Sequence, residues 1–156
     1  MGDDPKRTYL VVVDDSPEAR VALRFAARRA AKTNGRIEVL GIVEPQDFVQ
    51  FGGVQAAIEE EQRLRIEGVV SAGIDEILDE SGVEAKIIVQ QGEPVRSVRD
   101  YIGERVEVAA LVLGAAPSGN PGPLVANFCG NDAGRLPCPV MLIPGSLEDE
   151  RLEQLS

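Results

Sequence analysis

A regular alternation of short apolar runs with segments of helical periodicity constrains the fold of this chain more than any other feature. The first run, TYLVVVD (8–14), is almost continuous in apolar and β-branched residues, which is typical of a strand covered on both faces. Four similar runs follow, and the predicted strands lie within 8–14, 36–44, 81–90, 106–114 and 137–145. Strands that alternate with helices through short connections predict a single-domain α/β fold: a doubly wound, five-stranded parallel sheet with helices on both faces.

Helix start and stop signals stand between these runs. Ser16 is a suitable N-cap, Pro17 is a suitable first helical residue, and Gly35 is a suitable end for the same helix. Three further helices are predicted at about 56–80, from Pro94 onward, and at about 124–136. We expect residues 9–14 to form the central strand, because they are the most uniformly apolar.

Length and charge limit the domain organisation of the chain and the classes of partner that it can bind. The 156 residues fit one domain, which we expect at 8–145, between a disordered N-terminus (1–7) and a polar C-terminal tail (146–156). The formal net charge is −10, so nucleic acid and anionic membrane surfaces are unfavourable partners. Apolar runs of membrane-spanning length are absent from the sequence, and MGDDPKRTY lacks the apolar core of a signal peptide. A cytoplasmic location is therefore expected.

The sequence contains no histidine, which excludes the Ser-His-Asp and Cys-His nucleophile systems and removes the usual zinc ligand. Its two cysteines, Cys129 and Cys138, are too few for a disulfide framework or a cysteine metal site. We expect both to be reduced, mostly buried thiols. These features favour a regulator over an enzyme.

The stretch VVVDDSPEAR (11–20) has two interpretations. An acidic pair after the first strand is typical of a response-regulator receiver, whereas one Asp at that place suits a ribose in a nucleotide-binding domain. A receiver also needs a phosphoacceptor Asp after its third strand and a Lys after its fifth. Gln90 and Gln91 stand at the first of these places, and no lysine lies near the fifth run. The receiver interpretation is rejected. Asp15 is then expected to help Ser16 at the helix start.

The chain resembles the universal stress protein family. VVVDDSPEARVALRFAARRA is similar to the first strand and helix of that family, and VEVAALVLG to its fourth strand. LGIVEP, IIVQQGEPVRSVRDYI and PCPVMLIP resemble its second, third and fifth strands, so that the resemblance covers residues 8–144. It implies the strand order 3-2-1-4-5 and a homodimer. We expect pairing through the exposed edge of the fifth strand, at Val140, Met141, Leu142 and Ile143.

The family's ATP-binding members carry a glycine signature after the fourth strand, in which backbone N–H groups approach the phosphates. By position, Gly114 is the first glycine, Pro117 replaces the second, and Ala126 and Asn127 replace the last pair. Gly119 and Gly122 offer an alternative phosphate-binding loop, or they simply turn the chain. The resemblance places Asp14 at the ribose and Ile42 at the adenine. The resulting candidate site comprises Asp14, Ile42, Leu113, Gly114, Gly119, Gly122 and Asn127.

These observations leave three functions open. The first is a small stress-response regulator that binds ATP or AMP, with Mg²⁺, at the carboxyl ends of strands 1 and 4. The second is a dimeric interaction module of the same fold without a ligand. The third, and least favoured, is a weak nucleotide hydrolase, because the sequence provides neither a His base nor a clustered metal site.

Overall fold

The computed structural model describes residues 6–14, 16–43 and 52–156, in which five strands alternate with helices. The predictions for Asp15 and for most of the N-terminal segment lie outside these residues. In chain order the elements are β1 (Thr8–Val13), α1 (Pro17–Lys32), β2 (Arg36–Val43), α2 (Gly52–Ser81), β3 (Ala85–Gln91), α3 (Pro94–Gly103), β4 (Val108–Ala115), α4 (Pro123–Ala126), β5 (Val140–Pro144) and α5 (Asp149–Leu155).

The strands form one parallel sheet in the order β3-β2-β1-β4-β5. Strand β1 is central: Val11 lies opposite Val39 of β2 on one side and opposite Val112 of β4 on the other. All four strand pairings are parallel. The predicted order and the central place of the first apolar run are therefore confirmed.

The sheet has a core on each face, and successive side chains of a strand point alternately into one core and the other. Val11 belongs to the core formed with α1 and α2, where a row of fully buried alanines such as Ala26 lets α1 approach the sheet closely. Leu10 belongs to the opposite core, where it packs with Val98 of α3 and with Phe128. The apolar runs are thus buried on two sides, as their composition predicts.

Side-chain caps define the first turns of α1 and α3. Ser16 Oγ accepts a hydrogen bond of 3.3 Å from the Ala19 N–H. The Glu93 carboxylate accepts two bonds of 2.9 Å from the N–H groups of Val95 and Arg96, and these bonds lower the pKa of Glu93. Both helices then continue with Pro at the first position, as predicted.

The predicted helix at 124–136 is not continuous, which corrects the sequence prediction. Strand β4 is followed by the short α4, then by a π-helical turn at Asn127–Asn131 and a 3₁₀ turn at Ala133–Arg135. Gly130 has φ −110° and ψ −114°, a non-helical conformation that breaks the run. In this segment Phe128 is buried and the next residue, Cys129, is exposed, so the expected burial of Cys129 is wrong.

The polar C-terminal tail ends in a short helix that packs on the rest of the domain. Its last residues form α5, whose Leu152 is 1% exposed and joins the core beside α1. Arg24 Nη1 lies 2.9 and 3.1 Å from the two carboxylate oxygens of Asp149. Lys32 Nζ donates to the Glu153 carbonyl oxygen at 2.8 Å. Arg24 and Lys32 of α1 therefore help to hold α5 in place.

Candidate functional site

A cavity of about 430 Å³ opens at the carboxyl ends of β1, β2 and β4, where such sheets bind ligands. Its volume lies within the range of small-molecule sites. Four helices contribute walls: the first turns of α1, α3 and α4, and the side of α2. The lining residues are Val12, Val13, Asp14, Ser16, Glu18, Ala19, Ile42, Val43, Gln62, Arg65, Ile66, Pro94, Leu113, Gly114, Pro121, Gly122, Pro123, Leu124 and Val125.

Asp14 stands at the entrance to α1, directly after the central strand. Its carboxylate is exposed, and Oδ1 accepts a hydrogen bond of 2.9 Å from the Ser16 N–H. This bond fixes the turn that leads into the helix, while Ser16 Oγ accepts from the Ala19 N–H. Asp14 therefore has a structural contact and also contributes negative charge to the cavity.

Gly114 brings the end of β4 against the first turn of α1. A Cβ atom at this position would lie 2.1 Å from the carbonyl oxygen of Glu18 and 3.2 Å from the nitrogen of Ala19. A side chain does not fit there, so the glycine permits the close approach that forms this wall. Leu113, the preceding residue, is buried, and Ile42 is half-buried at the end of β2.

The glycine-rich loop after β4 contributes only part of its length to the cavity. Gly119 and Gly122 have φ of +74° and +110°, values that favour glycine, but only Gly122 lines the cavity. The Gly122 N–H donates to Asn120 Oδ1 at 3.0 Å, within the loop itself. Its neighbours Pro121 and Pro123 have no N–H group.

Asn127 lies outside the cavity lining, on the side of the molecule that carries α3. Its Oδ1 accepts a hydrogen bond of 3.3 Å from Arg99 Nη2. Arg99 also pairs with Asp132, whose carboxylate lies 3.2 Å from Arg135 Nη2. The structure therefore brings together Asp14, Ile42, Leu113, Gly114 and Gly122, and it separates Gly119 and Asn127 from them.

The sequence matches the model of the universal stress protein family over residues 6–144. The chain belongs to this family. Universal stress protein UspA from Lactobacillus plantarum has 19% identity and a TM-score of 0.75, over 90% of this chain and 99% of that one. No curated protein matches the sequence.

Two further structures of the family have similar folds. A universal stress protein in complex with cAMP has 18% identity and a TM-score of 0.61, over 92% of this chain and 100% of that one. A family protein from Arabidopsis thaliana with AMP bound has 18% identity and a TM-score of 0.58, over 93% of this chain and 94% of that one.

Arg65 and Gln62 are two polar lining residues that do not belong to the candidate site predicted from the sequence. Both lie on α2: Gln62 is one turn before Ile66, and Arg65 directly precedes it. Ile66 is buried against β2 at Gly41. Residues three and four apart share a helix face, so the buried position of Ile66 also places Gln62 on the face of α2 that lies toward the sheet. Arg65 is the only lysine or arginine among the described residues that line the cavity.

A smaller cavity of about 150 Å³ lies beside the first, at the ends of β2 and β3. Val43 belongs to both, whereas Glu60, Arg63, Gln90 and Gln91 line only the smaller one. Arg63 Nε lies 3.3 Å from Glu67 Oε1 in an ion pair along α2. Within the described ranges, no three Cys, Asp or Glu side chains come together as a metal site, and none of the helices could cross a membrane.

Proposed function

We propose that this universal stress protein is a small stress-response regulator that binds an adenine nucleotide in the cavity above β1, β2 and β4. The observation that carries the proposal is the convergence of Asp14, Ile42 and Leu113 on one cavity of about 430 Å³. Related proteins of the same fold contain cAMP or AMP, which supports an adenosine phosphate as the ligand class. ATP with Mg²⁺ is the alternative ligand, and its binding is to be compared with that of AMP.

The proposed contacts follow from the chemistry of the lining. The Asp14 carboxylate accepts a hydrogen bond from a ribose hydroxyl, while Ile42 and Leu113 provide apolar surface for the adenine ring. Gly114 contributes a flat backbone wall, because a side chain there would collide with α1. Mg²⁺ would enter with the ligand's phosphates, its usual mode of binding in nucleotide sites.

Isothermal titration calorimetry with AMP, ATP plus Mg²⁺, and GMP tests the proposal. We expect binding heat with at least one adenine nucleotide and weaker binding of GMP, because the apolar side chains of Ile42 and Leu113 offer no partners for the additional polar groups of guanine. Mass spectrometry of any small molecule that copurifies provides an independent readout. If the protein gives no heat with either adenine nucleotide, nucleotide binding is wrong.

The ligand-free interaction module is the second candidate. Two observations favour it: the Gly122 N–H already donates to Asn120, and Gly114 is required for packing against α1.

Both candidates include a homodimer through β5, where Leu142 is 45% exposed on the sheet edge. We further propose a cytoplasmic location, in keeping with the two free thiols, which cell fractionation tests. A phosphate-release assay tests for hydrolysis, which this proposal does not include.

A further inference from the structure

The cavity lining is short of positive charge. Asp14 and Glu18 contribute two carboxylates from the entrance of α1, and Arg65 contributes one guanidinium from α2. Among the lining residues that the structure describes, Arg65 is the only side chain with a positive charge. The whole chain carries a net charge of −10. Each additional phosphate group on a ligand therefore adds repulsion that this cavity does not offset.

Three backbone N–H groups of the lining already have acceptors within the protein. The Ser16 N–H donates to Asp14 Oδ1, the Ala19 N–H to Ser16 Oγ, and the Gly122 N–H to Asn120 Oδ1. Pro121 and Pro123 have no N–H to offer. A loop that binds a triphosphate uses several such groups at once, and three of those in this lining are already engaged.

One phosphate group matches what the cavity does provide. An arginine presents N–H donors in a planar fork that suits a phosphate bidentately, and its charge persists at all physiological pH values. We infer that the cavity selects a nucleoside monophosphate over a triphosphate, and that Arg65 holds the single phosphate. This inference rests on the proposed nucleotide function and assigns the ligand's phosphate number and its phosphate-binding residue.

The test is calorimetric titration of wild type and Arg65→Gln with adenosine, AMP and ATP plus Mg²⁺. We expect wild type to bind AMP more tightly than adenosine and more tightly than ATP. Arg65→Gln should weaken AMP roughly ten- to a hundredfold, the scale for losing a charged hydrogen bond, and should leave adenosine within about twofold. Because Arg65 also interacts within the protein, the adenosine titration separates phosphate recognition from a change in the cavity.

Two variants provide controls. Arg63→Gln removes a cation from the same helix, but Arg63 lines the smaller cavity and pairs with Glu67. It should leave the AMP affinity within about twofold of wild type. Arg65→Lys keeps the charge without the planar fork, so it should restore part of the preference for AMP over adenosine.

The outcomes distinguish this inference from the function on which it rests. If wild type binds adenosine and AMP, and Arg65→Gln weakens the binding of both equally, the nucleotide function stands and the role of Arg65 is overturned. ATP binding as tightly as AMP in wild type would overturn the preference for one phosphate. Absence of heat with all three ligands would overturn the proposed function together with this inference.

Discussion

Gly114 faces Glu18 so closely that a Cβ atom on the glycine would lie 2.1 Å from the Glu18 carbonyl oxygen. This contact joins the end of β4 to the first turn of α1 and so fixes two walls of the cavity relative to each other. The obstacle is backbone rather than the far end of a flexible side chain, so it does not move aside cheaply.

Gly114→Ala is therefore expected to destabilise the protein by about 3 kcal/mol or more, because strand and helix must separate to admit a methyl group. Gly134→Ala is the matched control, since a Cβ there has no neighbour within 4 Å and the backbone φ is not positive. It should change stability by no more than about 0.5 kcal/mol. Urea unfolding measures both, and equal effects would show that the Glu18 contact is unimportant.

The sequence predicted the sheet because its signals are local. Val11 and its neighbours form a run that must be buried on both faces, and five such runs separated by helices leave few topologies open. Asp14 and Gly114 line the cavity for the same reason, since Asp14 directly follows β1 and Gly114 lies near the end of β4. Positions at strand ends can be inferred from the strands themselves.

Features that depend on distant contacts were not predicted. Arg24 and Asp149 are 125 positions apart, so nothing local in α1 indicated that Arg24 would contact α5. Arg65 reaches the cavity only because α2 packs over β2. Asn127 was assigned by counting along a signature, whereas the break at Gly130 and the contact with Arg99 direct that segment elsewhere.

Asp14→Asn should separate ligand binding from folding. Asparagine keeps an oxygen that can accept from the Ser16 N–H, so the change in stability should stay within about 0.5 kcal/mol. Loss of the carboxylate should weaken the binding of an adenine nucleotide by about 1.5–3 kcal/mol, or roughly ten- to a hundredfold in affinity. Calorimetry measures the affinity and thermal unfolding the stability.

Glu18→Gln provides the control for Asp14, because it removes another negative charge from the same cavity. It should not weaken nucleotide binding, since the cavity then repels the phosphate less. A similar loss of affinity from both variants would contradict a specific hydrogen bond from the ribose to Asp14.

Tyr101 should make stability sensitive to alkaline pH. Its hydroxyl donates a hydrogen bond of 2.6 Å to the buried carboxylate of Glu38. Burial, followed by that bond, raises the pKa of Tyr101 above its ordinary value. In the unfolded chain this tyrosine ionises near pH 10, while the folded chain keeps its proton, so the contribution is complete below about pH 10 and is lost as the pH rises further.

Tyr101→Phe should therefore cost about 1.5–3 kcal/mol at neutral pH, because Glu38 loses a donor in a buried site. The same variant should lose stability less steeply than wild type between about pH 9 and pH 11.5. Urea unfolding across this range measures both effects. Parallel pH profiles of the two proteins would mean that Tyr101 does not contribute to the alkaline loss.

The docking of α5 depends on Leu152 as well as on the cations of α1. Leu152→Ala should cost about 2 kcal/mol, at the low end for a buried leucine, because so short a helix can detach instead of leaving a cavity. Hydrogen exchange should then accelerate over residues 149–155. Leu155→Ala, at a position that is 45% exposed, should leave the exchange unchanged, and equal acceleration in both would argue against burial as the cause.

Leu142→Asp should disrupt the proposed dimer. Leu142 pairs with Leu113 across β4 and β5 and is 45% exposed at the edge of the sheet, where a second copy is proposed to pair. A buried, unpaired carboxylate at that interface is unfavourable, so light scattering should report a monomer. Leu155→Asp is a closely matched control, because its leucine has the same exposed fraction but lies on α5. It should leave the dimer intact. A wild-type monomer at tens of micromolar, or a dimer that Leu142→Asp does not affect, would exclude pairing through β5.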